Sequence, residues 1–368
     1  MNIDIYIPPE STNVFSFHLN QLASRTFDNW TFYNNIEVFK TAGNHRIACF
    51  QLPYPWDPKI ENQINEIYDQ VDDILIIGSE LHARTVDFIQ RFDRSKITYF
   101  ICGYLHFRMA NSRVNKFLDW FTTSIYFYKH VRPSTLFDLN PGAIKPLMFD
   151  ALLGRKKPHR DLAFNYIQNN NLASQGIVTY VNDHEINFDA SNTSRWQWQS
   201  EGITNFDEKV SEVKYTVDRV DYYGYNISIS QIIPIDIYNQ TAYSLVCETN
   251  TENTHVFYTE KTIKPILARR LFITLGNKHH LAGLHRLGFK TFGDIIDESY
   301  DNIDDPTERH TAAMNQLQWL CGQDQADILH RCQDIVDYNF NLMYSNDWYN
   351  LFRMDFGDFF FSKHNRVL

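Results

Sequence analysis

Tyr243-Ser244-Leu245-Val246-Cys247-Glu248-Thr249-Asn250 is followed by Phe257-Tyr258-Thr259-Glu260-Lys261, a run from Thr262 to Arg270, and Leu271-Phe272-Ile273-Thr274-Leu275-Gly276. The two apolar runs, the second closed by glycine, read as strands of a parallel sheet. Thr259 is a good N-cap for a helix between them, which makes the whole a strand, loop, helix, strand unit. In such a unit the loops at the carboxyl ends of the strands face the ligand crevice, so Glu248 and the Thr259-Glu260-Lys261 turn open on one side. A helix start with a lysine beside it suits a phosphate, with Lys261 on a diphosphate and Glu260 on ribose hydroxyls. The same residues also fit an ordinary capped helix with a solvated Glu and Lys. Pro265 either kinks a helix begun at Glu260 or is its first helical residue, and both place Glu260 and Lys261 at the helix mouth.

Upstream, Leu147-Met148-Phe149-Asp150-Ala151-Leu152-Leu153-Gly154 reads as a strand, and Arg155-Lys156-Lys157-Pro158-His159-Arg160 leads into a helical run from Asp161 to Asn169. Arg160 then lies where a guanidinium can clamp a diphosphate. Taken alone, the basic cluster equally fits a solvated turn or a patch for an acidic partner.

The order Tyr243…Glu248…Thr259-Glu260-Lys261…Leu267-Ala268…Phe272-Ile273…Gly276 resembles the nucleotide-sugar-binding segment of the alpha-1,3-fucosyltransferases (glycosyltransferase family ten) and, more loosely, the exostosin-like transferases. The likeness covers Tyr243 to Phe292 and extends less closely back to Lys145. It implies a donor-binding set of Arg155, Arg160, Glu248, Phe257, Thr259, Glu260 and Lys261. Cys247 stands where that family has Phe, Thr249 where it has Asn, and Phe257 where it has a Tyr that contacts the nucleotide. The likeness further implies a GT-B architecture: two doubly wound, Rossmann-like α/β domains facing a cleft, with closing C-terminal helices. The implied activity is transfer of a sugar from a nucleoside diphosphate sugar, GDP-fucose by default, to the hydroxyl of a glycan or other acceptor. It would be inverting and metal-independent, with no cofactor beyond the donor. The alternative is a non-catalytic nucleotide-sugar or glycan-binding protein.

The first half alternates strand-like runs (Ile3 to Ile7, Arg46 to Leu52, Asp73 to Gly78, Lys96 to Gly103) with helix-like runs (Val14 to Arg25, Ile60 to Gln70, Leu81 to Arg94), the pattern of a parallel sheet. Pro133 to Gly142 is the best boundary. The expected division is an acceptor-side domain at 1–140, a donor domain at 141–345 with one or two helices between Thr307 and Tyr344, and a tail at 346–368 that packs back on the protein. Between Asn182 and Ile232, a polar, aromatic stretch with Trp196, Trp198 and Tyr222-Tyr223-Gly224-Tyr225 reads as loops and short strands. In the resembling family the acceptor base is a carboxylate of the N-terminal domain, and no motif carries it over. Strand-end position selects Glu80, with His82 behind it, and His106 on the next strand.

Net charge of −10 disfavours a broad electrostatic grip on duplex nucleic acid, while leaving room for a nucleic-acid acceptor held by a local basic groove. Nothing approaches the apolar length a bilayer span needs, and Met1 to Pro8 lacks the features of a signal peptide. A soluble, cytoplasmic, bacterial or viral transferase is the expectation. Five scattered cysteines read as free thiols, and Asn277-Lys278-His279-His280 with His285 lacks a metal-site spacing. The absence of GxGxxG after an early strand and of GxxxxGK[ST] disfavours dinucleotide and P-loop sites.

Overall fold

Runs such as Asp73–Gly78, buried at all six positions, have no solvated face and so belong inside a sheet covered on both sides. The computed structural model describes residues 2–11, 30–52, 57–78, 80–116, 138–181, 214–215, 219–222, 225–228 and 233–348, with 118, 125, 128, 136, 355 and 357–360. The chain forms two compact units, Met1–Asp119 with Asp347–Leu368, and Trp120–Asn346. The first division thus falls ahead of the Pro133 to Gly142 stretch. The helix read at Val14 to Arg25 and the residues Trp196 and Trp198 lie outside the described residues.

The first unit contains β1 (Ile3–Tyr6), β2 (Trp30–Tyr33), α1 (Ile36–Lys40), β3 (His45–Gln51), α2 (Lys59–Ile67), β4 (Asp73–Gly78), α3 (Ala83–Arg91), β5 (Ile97–Ile101), β6 (Gly103–Leu105) and β7 (Arg113–Lys116). Its six-stranded sheet has the order β2-β1-β3-β4-β5-β7, parallel at every pairing. Phe359 and Phe360 pack with Ile3, Ile5, Cys49, Leu75 and Phe100 in one apolar cluster, so these two rings are part of this unit's core. Fully burying one such ring stabilises by about 1.5–3 kcal/mol.

The second unit contains β8 (Leu147–Arg155), α4 (Pro158–Asn169), β9 (Gly176–Val181), the antiparallel trio β10 (Lys214–Tyr215), β11 (Arg219–Tyr222) and β12 (Tyr225–Ser228), then α5 (Ile235–Gln240) and β13 (Thr241–Cys247). It continues with β14 (His255–Phe257), α6 (Glu260–Leu267), β15 (Phe272–Leu275), α7 (His280–Arg286), α8 (Pro306–Cys321) and α9 (Gln325–Ser345). Its parallel sheet has the order β15-β13-β8-β9. The α/β class with parallel sheets is the one expected from the sequence.

One buried ion pair pins β13 to β8. Arg270 donates to Asp150 Oδ2 at 2.6 Å, to the carbonyls of Tyr238, Thr241 and Tyr243, and to Ser244 Oγ at 3.0 Å. Burial raises the Asp150 pKa, against the pull of Arg270 and the Ser244 and Thr241 hydroxyls. Arg270 therefore satisfies a charge that the sheet interior would otherwise leave exposed to a low dielectric. Among the described residues, no helix is long and apolar enough to cross a membrane.

Candidate functional site

The strand order of the second unit reverses between β8 and β13: the β8–α4–β9 connection leads one way along the sheet and β13–α6–β15 the other. Such a reversal parts the loops at the carboxyl ends of the two middle strands and leaves a crevice there, the usual ligand position in open parallel sheets. α4 opens on one side with Arg160, and α6 on the other with Glu260 and Lys261. The β8–α4 and β13–α6 connections, far apart in sequence, thus leave neighbouring strands of one sheet.

On the β8 side, Gly154 has φ +64° inside a register shift between Leu152 and Arg155, a conformation that glycine adopts without strain. A Cβ on Gly154 would stand 3.5 Å from Arg160 Nη1, so the turn packs close against the guanidinium. Arg160 is only 5% exposed. Arg155 ends β8, paired with Val181, and its side chain lies outside the described residues. α4 begins with Pro158 at its first position and has no side-chain cap, since its N-cap is Lys157. Lys157 Nζ instead donates to the Thr249 carbonyl at 2.6 Å, and the His159 ring meets the Glu248 carbonyl at 2.9 Å. These two contacts brace the loops on either side of the reversal. His159 Nε2 faces a carbonyl and so carries the proton of a neutral ring. Burial, with Arg160 and His310 nearby, takes its pKa down to about 3.

On the β13 side, Glu248 has a different role from the one its resemblance implied. It is fully buried, and its carboxylate accepts from Thr259 Oγ1 and Thr262 Oγ1, both at 2.6 Å, and from the amides of Thr249 and Thr259 at 3.3 Å. It holds the start of α6 and has no face left for a ligand. Thr259 caps the helix as expected, accepting from Lys261 N at 3.3 Å, but is itself buried. Phe257 is also corrected: at 1% exposure in β14, its ring has no surface for a base to stack on. Thr262, bonded to Glu248, also meets His280 Nε2 at 3.1 Å. Because the Thr262 proton goes to Glu248, His280 donates through Nε2. Burial, opposed by Glu248 and Asp301, lowers its pKa and keeps the ring neutral.

This network changes how the helix start meets an anion. The Lys261 amide is taken by Thr259 Oγ1. The attraction for a phosphate at α6 therefore rests on side-chain ammonium groups more than on free backbone N–H groups. Lys261 Nζ is 2.7 Å from Glu260 Oε1 and 3.4 Å from Thr249 Oγ1, with a side chain 29% exposed. Burial raises the Glu260 pKa, but Lys261, Lys264 and local hydrogen bonds outweigh it and leave it lowered. Lys264, one turn along, was not singled out by sequence; burial takes its pKa down to about 8 despite Glu260. Its spacing of four from Glu260 was the available signal. Pro265 lies inside α6, not at its start, and the helix ends two residues later at Leu267.

Arg309 is a second residue that sequence patterns did not reveal. Only 2% exposed, it donates to the carbonyls of Gly276, Thr251 and Ile303, tying together the loops that follow β15 and β13. His310 meets the Gly276 carbonyl at 3.2 Å, and burial lowers its pKa to about 4.

In the first unit, Glu80 is half-buried in the bend after β4, and His106 follows β6. His82 is the N-cap of α3, with its ring 2.8 Å from Thr85 Oγ1. The strand reversal of this sheet lies between β1 and β3, one strand away from Glu80. There Ser11 Oγ accepts from Gln51 N at 3.0 Å, and the exposed Glu10 accepts from Gln63. Glu10 is thus a carboxylate beside the reversal that strand-end reading along the sequence passed over. Among the described residues, no group of three or more His, Cys, Asp or Glu side chains is arranged to hold a metal ion.

No protein-family model matches this sequence, and no curated protein matches it. Among solved structures, the DNA modifying enzyme beta-glucosyltransferase, studied with and without uridine diphosphoglucose, is similar with a TM-score of 0.38 and 11% identity. The alignment covers 96% of this chain and 99% of that one.

Proposed function

We propose that this protein is a glycosyltransferase of GT-B type, taking a sugar from a nucleoside diphosphate sugar to an acceptor hydroxyl. The observation that carries this reading is the strand reversal between β8 and β13, with Arg160 and Lys261 opening the helices on its two sides. Two cations on opposite walls suit the two phosphates of a diphosphate, whose negative charge grows as the glycosidic bond breaks. Glu260, ionised beside Lys261 and Lys264, suits ribose hydroxyls as hydrogen-bond donors. Glu248 holds the turn that carries Glu260 and Lys261, and Arg309 ties the loops after β13 and β15.

The transfer we propose is a direct displacement with inversion, the diphosphate being held by side chains. GDP-fucose is the first donor to test, because the Thr259-Glu260-Lys261 segment resembles that of the fucosyltransferases. Glu80 is the first candidate for the base on the acceptor hydroxyl, with His82 and His106 behind it. The test is release of nucleoside diphosphate from a panel of sugar nucleotides, with and without acceptor mixtures. Acceptor-dependent release, lost in Glu80→Gln with donor binding retained, supports both reaction and base. Donor binding without release from any sugar nucleotide favours a binding protein, and unchanged turnover in Glu80→Gln removes that residue from the mechanism.

A further inference from the structure

Between Asp93 and Asp119 the sequence carries five cations, Arg94, Lys96, Arg108, Arg113 and Lys116, and no carboxylate, in a chain whose net charge is −10. Two of the five are half-buried. Lys96 Nζ donates to the carbonyls of Tyr68 and Val71, and Arg94 lies over the rings of Tyr68 and Phe92. The other three, Arg108, Arg113 and Lys116, are exposed. Arg113 and Lys116 belong to β7, the edge strand of the sheet, and Lys116 Nζ stands 4.6 Å from the centre of the Tyr104 ring, with Asp355 in its electrostatic surroundings. Among the described residues neither Arg108 nor Arg113 makes an ion pair.

The loop that presents them is fixed. The Asp93 carboxylate accepts from the amides of Ala110, Asn111 and Ser112 at 2.6, 2.9 and 2.6 Å. Ser112 Oγ accepts from Arg94 N at 2.9 Å and donates to the Arg94 carbonyl at 3.0 Å. The one carboxylate at the base of the loop is therefore consumed by backbone, and its pKa is lowered by those bonds even against its partial desolvation. What remains is a braced loop and edge strand that expose Arg108 and Arg113, with Lys116 beside Tyr104, and such a surface costs little to order around negative charges.

We propose that this edge binds the phosphodiester backbone of nucleic acid, the acceptor of the transfer proposed above. The acceptor role rests on the transferase reading; the binding itself does not. Exposed cations on the β7 edge and on the loop before it suit the charges of a phosphodiester strand, and Arg108 and Arg113 offer the forked donors that fit phosphate. A chain this acidic holds such a partner only through a local patch, so affinity is modest and strongly salt-dependent.

The test is fluorescence anisotropy of labelled mixed-sequence 20-mers, single-stranded and duplex, against the full chain from low to physiological salt. Wild type is expected to bind at low salt with a log–log salt slope of about −2 to −3, three phosphate contacts' worth. R108Q/R113Q/K116Q, all exposed and outside the donor site, should weaken binding at least tenfold and flatten the slope, with an unchanged unfolding midpoint. Absence of wild-type binding at low salt, or an unchanged slope in the triple variant, overturns the proposal. Equal binding of heparin shows a generic polyanion surface and overturns it too. Nucleoside diphosphate binding on the same preparation separates the two ideas: lost there with the oligonucleotide still bound, it is the transferase reading that fails.

Discussion

Glu248→Gln is expected to unfasten the start of α6. The carboxylate accepts two hydroxyl bonds at 2.6 Å and two amide bonds at 3.3 Å while fully buried. A glutamine of the same shape must place its NH2 where one oxygen stood. At the Oε1 position it meets the Thr262 hydroxyl and the Thr259 amide; at Oε2 it meets the Thr259 hydroxyl and the Thr249 amide. A hydroxyl can turn its proton away, but a backbone amide cannot, so either choice strands one buried donor. Bonds to a charged acceptor are worth about 1.5–3 kcal/mol each, and losing two with a stranded amide puts the loss at roughly 3–5 kcal/mol. That is a large share of the ~5–15 kcal/mol of a typical domain, so the damage should be local opening of the first turn of α6 before global unfolding. If the turn must be rebuilt to bind a ligand, half of the loss already weakens binding about tenfold or more. Amide hydrogen exchange at Lys261 and Thr262, run beside nucleoside diphosphate titration, reads both effects. Faster exchange with weaker binding is expected, and Thr262→Val should show a smaller version that Thr262→Ser restores. Wild-type protection at Lys261 and Thr262 in Glu248→Gln would refute the reasoning.

Three further outcomes are expected. Lys264 has a folded pKa of about 8, below the ordinary lysine value, so between the two the unfolded chain holds more protons. Stability should therefore rise with pH above about 8, and Lys264→Met should flatten that rise in urea midpoints measured up to pH 10. His159 and His310 titrate near 3 and 4 when folded, below their ordinary value, so unfolded chains take up protons first as pH falls. Stability should decline from about pH 6.5 downward, and replacing either ring with Asn should reduce the slope of that decline in acid unfolding followed by circular dichroism. Arg270→Met should cost about 3–5 kcal/mol in denaturant unfolding by leaving Asp150 buried and unpaired, and adding Asp150→Leu should recover much of that loss.

The central strands were legible because burial on both faces demands unbroken apolar runs: Asp73–Gly78 and Ile97–Ile101 could be read within a residue or two. The edge strands of the first sheet were not. Arg113-Val114-Asn115-Lys116 carries two cations, as an edge exposed to solvent often does, and Trp30–Tyr33 is too short for alternation to register. The cap at Thr259 was readable because capping is a local exchange between a hydroxyl and a nearby amide. The burial of Glu248 was not, because it depends on Thr262 and His280 arriving from the next two helices. Glu80 was chosen from strand ends alone, whereas the reversal beside Glu10 is a property of strand pairing that no local pattern contains.

The most direct measurement is thermal stabilisation by a panel of nucleoside diphosphates, comparing wild type with Lys261→Ala. A ligand held only by the folded state at a hundred times its Kd stabilises by about 2.7 kcal/mol, which a melting scan resolves. A rise in midpoint with one diphosphate, abolished in Lys261→Ala, is the predicted result and names the base of the donor. No rise with any diphosphate, or one that survives in the variant, contradicts a donor site between α4 and α6.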